Sequence, residues 1–228
     1  MSHTAFELQD LVRRGPQVCP VCRLVEREMR RHVDRLFFDR VNDIPTRERI
    51  RASGGFCRRH TRLILRQADA LGTAIIYRDV LSHTLDEVRN MGCGRSSGGE
   101  GNLLSRFIGG ARPNDSRAPC PLDEVEEEME KRTVDSLFEA MAQPQFFELF
   151  QQSAGLCLPH YCLASERCKD AEIWSHIVET QERAMTGLIE ELAALARSYD
   201  HHQKVKPIGE QATSWRRALN VSVGLLDE

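Results

Sequence analysis

Apolar positions in this chain recur at helical spacing, among charges, in two long series. After Cys22, the residues Val25, Met29, Val33, Leu36, Phe37 and Val41 fall on one helical face, and Val125, Met129, Leu137, Phe138 and Met141 do so after Asp123. Pro45 and Pro144 interrupt the two series at similar places. The short helical stretch after each proline ends at glycine, Gly54-Gly55 or Gly155, as a helix C-cap would. Further helices are predicted to begin near Cys57 and Cys157. A long amphipathic helix then closes each series: Leu71, Ile75, Ile76, Val80, Leu81, Leu85 and Val88 in the first, and Ile173, Trp174, Ile177, Val178, Met185, Leu188, Ile189, Leu192 and Leu195 in the second. No alternating, strand-like pattern of comparable length competes. The tail from Tyr199 is polar and irregular, apart from a short predicted helix through Trp215, Ala218, Leu219 and Val221. The expected fold is all-α.

The two series are copies of one unit. Cys19-Pro20-Val21-Cys22 matches Cys120-Pro121-Leu122-Asp123 at an offset of 101, and Val33-Asp34-Arg35-Leu36-Phe37 matches Val134-Asp135-Ser136-Leu137-Phe138 at the same offset. At an offset of 100, the block from Ser53 to His60 matches Ser153 to His160. Between the copies, Gly92-Cys93-Gly94-Arg95-Ser96-Ser97-Gly98-Gly99 has the composition of a flexible linker. The expected organisation is therefore a first helical repeat over 16–91, a linker over 92–117, a second repeat over 118–198 and a C-terminal extension over 199–228.

Composition and charge change this picture little. The 228 residues, 41% hydrophobic and 29% charged, suit a globular protein and exclude a disordered chain or a disulfide miniprotein. The net charge of −3 conceals opposite halves: residues 1–91 carry 17 Lys and Arg against 12 Asp and Glu, and residues 119–200 carry 6 against 17. This favours the two repeats packing on each other. The arginines of the first half alternate with Glu26, Glu28, Asp34, Asp39 and Glu48, the mark of a solvated helix face and not of a nucleic-acid site. No apolar run approaches the ~20 residues that span a bilayer, and the N-terminus has no signal-peptide pattern. A cytoplasmic location and no membrane partner follow as expectations, and in that compartment the eight cysteines point to metal ligation or reactive thiols over disulfides.

Within the first copy, Cys19 and Cys22 form a Cys-x-x-Cys pair, and Cys57 and His60 a Cys-x-x-His pair. Two such pairs supply the four donors of a tetrahedral Zn2+ site, because each brings two ligands from one turn of chain. Helix starts favour thiolates, and Arg23, Arg58 and Arg59 are expected to lower the thiol pKa values further. The second copy offers Cys120, Asp123, Cys157 and His160, in which a harder carboxylate replaces one thiolate and weakens the predicted second site. Cys162 would point about 140° from Cys157 on a regular helix and is not a substitute ligand. Cys93 and Cys168 read as buried or loose thiols and not as ligands, and His32, His83, His176, His201 and His202 have no partner at ligand spacing. The acidic run from Asp123 to Glu130 reads as a solvated helix N-terminus.

A four-ligand zinc site is closed to substrate, so the metal is expected to be structural and the helical surface to serve an unidentified protein partner or a regulatory role. The alternative is a thiol–disulfide enzyme or redox sensor using Cys19 and Cys22, although the βαβ context of such enzymes is missing and Asp123 removes the resolving thiol from the second copy. Haem ligation through the Cys-Pro dipeptides is a lesser option. Phosphate-binding, dinucleotide and hydrolase motifs are absent from the sequence.

The residues Cys19-Pro20-Val21-Cys22, Gly55-Phe56-Cys57-Arg58-Arg59-His60, Cys120-Pro121-Leu122-Asp123 and Gly155-Leu156-Cys157-Leu158-Pro159-His160 resemble the tandem motifs of an uncharacterised family of bacterial and archaeal proteins. Residues Gly209 to Ala218 look like its C-terminal block. Members are sometimes labelled transporter substrate-binding components, but this sequence lacks an export signal and a lipid-attachment site. The resemblance implies a family and no activity.

Overall fold

The computed structural model describes residues 3–15, 17–67, 69–92, 118–199 and 209–225. The predicted linker lies outside them, apart from Gly92, as do Cys93, His201 and His202. Among the described residues there are ten helices and no strand: α1 (His3–Arg14), α2 (Pro20–Asp39), α3 (Ile44–Ala52), α4 (Arg58–Gln67), α5 (Ala70–Gly92), α6 (Asp123–Met141), α7 (Pro144–Gln151), α8 (Leu158–Arg167), α9 (Ala171–Ser198) and α10 (Glu210–Val223). The all-α reading holds. Both interrupting prolines lie in the first turn of the next helix, where the missing N–H costs nothing: Pro45 in α3 and Pro144 in α7. The two apolar series leave residues before 16 without an element, yet α1 buries Ala5, Leu8 and Val12 at helical spacing.

Two compact units divide the chain, and they differ from the sequential repeats over 16–91 and 118–198. One is continuous, Arg30–Val125; the other is discontinuous, Met1–Met29 with Glu126–Glu228. The boundaries fall within α2 and α6, so the first turns of each long helix are grouped with chain from the opposite copy.

The continuous unit buries Val33, Leu36 and Phe37 of α2, Ile50 of α3, Ile64 of α4, and Ile76 and Val80 of α5. Asp43 caps α3 by accepting from Thr46 N at 3.0 Å, and Arg47 of α3 pairs with Asp79 of α5 at 3.4 Å. The discontinuous unit buries Leu8 of α1, Val21 and Leu24 of α2, Leu137 of α6, Phe146 and Phe150 of α7, and Ile177 of α9. In this unit α1 packs on α7, and α10 packs on α8 and α9.

The longest helix, α9, starts at Asp170, whose carboxylate accepts from the backbone N–H groups of Glu172 and Ile173 at 2.9 and 3.1 Å. Asp170→Ala removes both bonds and is expected to lower stability by about 1 kcal/mol in urea denaturation, whereas Asp170→Asn keeps an acceptor and costs a few tenths. Equal losses for the two variants would contradict the capping role.

Candidate metal centres

In the discontinuous unit, two helix starts meet. Cys19 immediately precedes α2 and Cys22 lies in its first turn; Cys157 is the N-cap residue of α8 and His160 lies in that helix's first turn. Cys19 and Cys22 are 135–141 residues from their neighbours Cys157 and His160. Nevertheless the four donor atoms lie within 4.8 Å of one another, and all four residues are buried. His160 Nδ1 stands 3.0 Å from Cys157 Sγ, 3.3 Å from Cys22 Sγ and 3.6 Å from Cys19 Sγ, and Cys22 Sγ is 3.5 Å from Cys157 Sγ. All described cysteines are free thiols.

The backbone before Cys157 is held by a buried glutamine. Gln181 of α9 accepts from Leu156 N at 2.9 Å through Oε1 and donates to Leu156 O at 3.0 Å through Nε2. Gly155 adopts φ +72°, and a Cβ there would sit 2.6 Å from Gln181 Oε1. Both the left-handed backbone and the tight approach therefore require glycine in the Gly-x-Cys-x-x-His block. The end of α10 covers the thiols: Leu225 N–H donates to Cys22 Sγ at 3.4 Å, and a Cβ on Gly224 would lie 3.5 Å from that sulfur. Behind the histidine, Glu130 Oε1 is 3.5 Å from His160 Nε2, leaving Nδ1 directed at the sulfurs. Carboxylates in this position orient metal-binding imidazoles.

The continuous unit holds a second cluster, of Cys57, His60, Cys120 and Asp123, whose donor atoms also lie within 4.8 Å of one another. His60 Nδ1 is 3.2 Å from Cys57 Sγ, 3.4 Å from Cys120 Sγ and 3.3 Å from Asp123 Oδ1. The backbone N–H of Cys57 donates to Cys120 Sγ at 3.3 Å. His60 and Cys120 are buried and Cys57 is half-buried, but the Asp123 side chain is 51% exposed.

Ligand spacing within each copy predicts Cys19 and Cys22 with Cys57 and His60, and Cys120 and Asp123 with Cys157 and His160. The structure brings together the same eight residues with the Cys-x-x-His pairs exchanged between copies. Ligand spacing marked the donors, but it carried no information on which pairs meet.

Two supporting residues had no motif to mark them: Gln181 lies within an ordinary amphipathic series, and Glu130 within an acidic run. Most of that run is solvated as expected, with Glu127 and Glu128 paired to Lys131 and Arg132. Cys162 is exposed, and Cys168 Sγ contacts Asp170 O at 3.3 Å; neither joins a cluster.

The cluster electrostatics arise from within. Burial opposes ionisation of Cys19, but hydrogen bonds with Cys157, Cys22 and His160 outweigh it and hold that thiol well below its ordinary pKa. Hydrogen bonds with Cys157 and Cys19, aided by burial, push Cys22 up. Burial likewise opposes charge on His160, yet hydrogen bonds with Cys157, Cys19 and Glu130 push it up to about 12. In the other cluster burial pushes Cys57 up, contrary to the expectation that neighbouring arginines lower it. Cys120 falls despite burial, because His60 and the backbone N–H groups of Cys57 and Leu122 donate to it. The buried cluster thus favours positive charge on its imidazole, and a metal ion bound at His160 Nδ1 would take the place of that proton.

These features belong to a helical protein with two Cys/His-rich clusters able to hold metal ions. The chain is a member of a family of unknown function, DUF6062, whose model matches residues 4–228. It is similar to an "uncharacterized 23.9 kDa protein in xynA 3'region" of Caldicellulosiruptor sp. (strain Rt8B.4), with 23% identity over 207 residues that cover 90% of this chain and 95% of the relative. No solved structure matches it. No helix among the described residues is long and apolar enough to cross a membrane.

The clamp on Leu156 yields a test that needs no metal. Gln181→Ala leaves a buried N–H and a buried C=O without their partner, which should cost about 2–4 kcal/mol of stability. A loss below about 0.5 kcal/mol in chemical denaturation would show that the backbone before Cys157 is held by other contacts.

Proposed function

We propose that this protein is a zinc-binding helical protein in which Zn2+ is chiefly structural and the helical surface serves interaction or regulation. The observation that carries the reading is the meeting of two knuckle pairs, twice, with thiol and imidazole donors directed at one another. A tetrahedral ion with Zn–S near 2.3 Å and Zn–N near 2.0–2.1 Å has S···S and S···N edges of about 3.5–3.8 Å. The separations of 3.0–3.6 Å in the buried cluster are close to those edges, and small side-chain movements would complete the fit. Three thiolates and one imidazole form a closed ligand set, with no position for an activated water. A cavity of about 10 Å³ beside Cys19 and Cys157 admits at most a single water, which agrees with a structural and not a catalytic ion.

An ion held there ties the start of α2 to the start of α8, so its binding energy becomes folding energy. For the alternative use of Cys19 and Cys22 in thiol–disulfide exchange, an incoming disulfide must reach a thiolate. Both thiols are buried, and the backbone of Leu225 lies against Cys22. The helical context and the shared environment with Cys157 and His160 weigh towards metal.

Anaerobically purified full-length protein should contain about two zinc ions per chain, with the cluster thiols protected from alkylation. A chelator should remove them in two steps, the aspartate-containing cluster first, because its carboxylate is a harder and more exposed ligand. Metal-free protein with a reversible Cys19–Cys22 disulfide would contradict this reading and favour the redox alternative.

A further inference from the structure

The two clusters use the same local elements, a Cys-Pro helix entrance and a Cys-x-x-His helix start, but they differ in access. Around Cys19, Cys22, Cys157 and His160 all donors are buried, with Gly224 and Leu225 against the sulfurs. Around Cys57, His60, Cys120 and Asp123, the fourth donor belongs to a half-exposed side chain on the first residue of α6. Asp123 is also the one hard ligand among two sulfurs and an imidazole, so a borderline-soft ion is held least strongly at that position. Arg58 and Arg59 are exposed in the first turn of α4 beside Cys57, and Arg49 is paired at 3.5 Å with Glu124, the residue after Asp123.

We propose that this second cluster is an exchange site, at which the Asp123 carboxylate gives way to the thiolate of an exogenous small thiol, whereas the buried cluster does not exchange. The proposal rests on the metal-binding reading above. In the exchange the metal–oxygen bond to Asp123 breaks and a metal–sulfur bond to the incoming thiolate forms. The thiol proton passes to the released carboxylate or to water, and no group is oxidised or reduced. The released carboxylate can turn into solvent, because half of it already faces water. Cys57, His60 and Cys120 keep the ion in place throughout. An incoming sulfur gives this site three thiolates and one imidazole, the donor set with which the buried cluster is built. The site would therefore take ligands of one chemical class, small thiols, and present them bound and deprotonated at the protein surface.

The test uses full-length protein loaded with Co2+ under anaerobic conditions and titrated with 2-mercaptoethanol. Sulfur-to-cobalt charge-transfer absorbance scales with the number of coordinated thiolates. The second cluster's share should rise about 1.5-fold as two thiolates become three, so the parent's total should rise about 1.2-fold as five become six, with no loss of cobalt. Asp123→Cys supplies the third sulfur in advance and should abolish the response. Cys157→Ser, which disables the buried cluster, should leave it intact. Should Cys157→Ser fail to fold, the comparison of the parent with Asp123→Cys still decides. If two cobalt ions bind per chain and the parent spectrum does not change at millimolar thiol, Asp123 is a permanent ligand and the exchange proposal is wrong. If the second cluster takes up no cobalt, the metal-binding reading of that cluster fails, and the exchange proposal with it.

Discussion

The discontinuous unit depends on the meeting of three thiols and an imidazole in one buried space. Polar groups brought together away from water must be matched, since burying them unpartnered costs several kcal/mol. The unit is arranged to match them. Two helices begin at the cluster, so their N-terminal dipoles face the sulfurs. The backbone before Cys157 is fixed by Gln181, the back of His160 faces Glu130, and the chain after α10 supplies a backbone N–H to Cys22. Residues close to both ends of the chain thereby converge on a single site. Its loss would release the start of α2, the start of α8 and the end of α10 together.

The carboxylate-containing cluster shows what changes when the same elements are assembled less tightly. Its histidine is buried and its sulfurs are close to the imidazole, but the fourth donor comes from a half-exposed side chain. A motif that occurs twice in the sequence therefore contributes to two clusters of different character, one buried and one with a half-exposed carboxylate. The difference is carried by one substitution, aspartate where the other copy has a cysteine, and by the environment of that residue at the start of α6.

Much of this was legible in the sequence because it is local. Helical periodicity marked the helices from α2 to α10, and ligand spacing marked all eight donors. Gly54 directly follows the Ser53 cap of α3, as the helix-end pattern suggested, but Gly155 lies beyond Gln152, the cap of α7, and its left-handed backbone belongs to the turn before Cys157 instead. What the sequence hid depends on tertiary distance. Repeats invite pairing within a copy, yet Cys22 meets Cys157, 135 residues along the chain. Glu130 was concealed by an acidic run that is mostly solvated, although Glu126 is also buried. Gln181 was concealed because a polar residue on a half-buried helix face ordinarily signals only the solvent side. The arginines expected to set the thiol pKa values matter less than the hydrogen bonds within each cluster, which no sequence pattern displays.

The exchanged pairing of the knuckles is the central claim, and counting metal in paired cysteine variants tests it most directly. If Cys22 and Cys157 share an ion, the double variant Cys22→Ser/Cys157→Ser loses no more zinc than either single variant, about one ion per chain, whereas Cys22→Ser/Cys57→Ser loses about two. The reverse result, with the loss confined to one ion when Cys22 and Cys57 are replaced together, would place both in the same site and contradict the account.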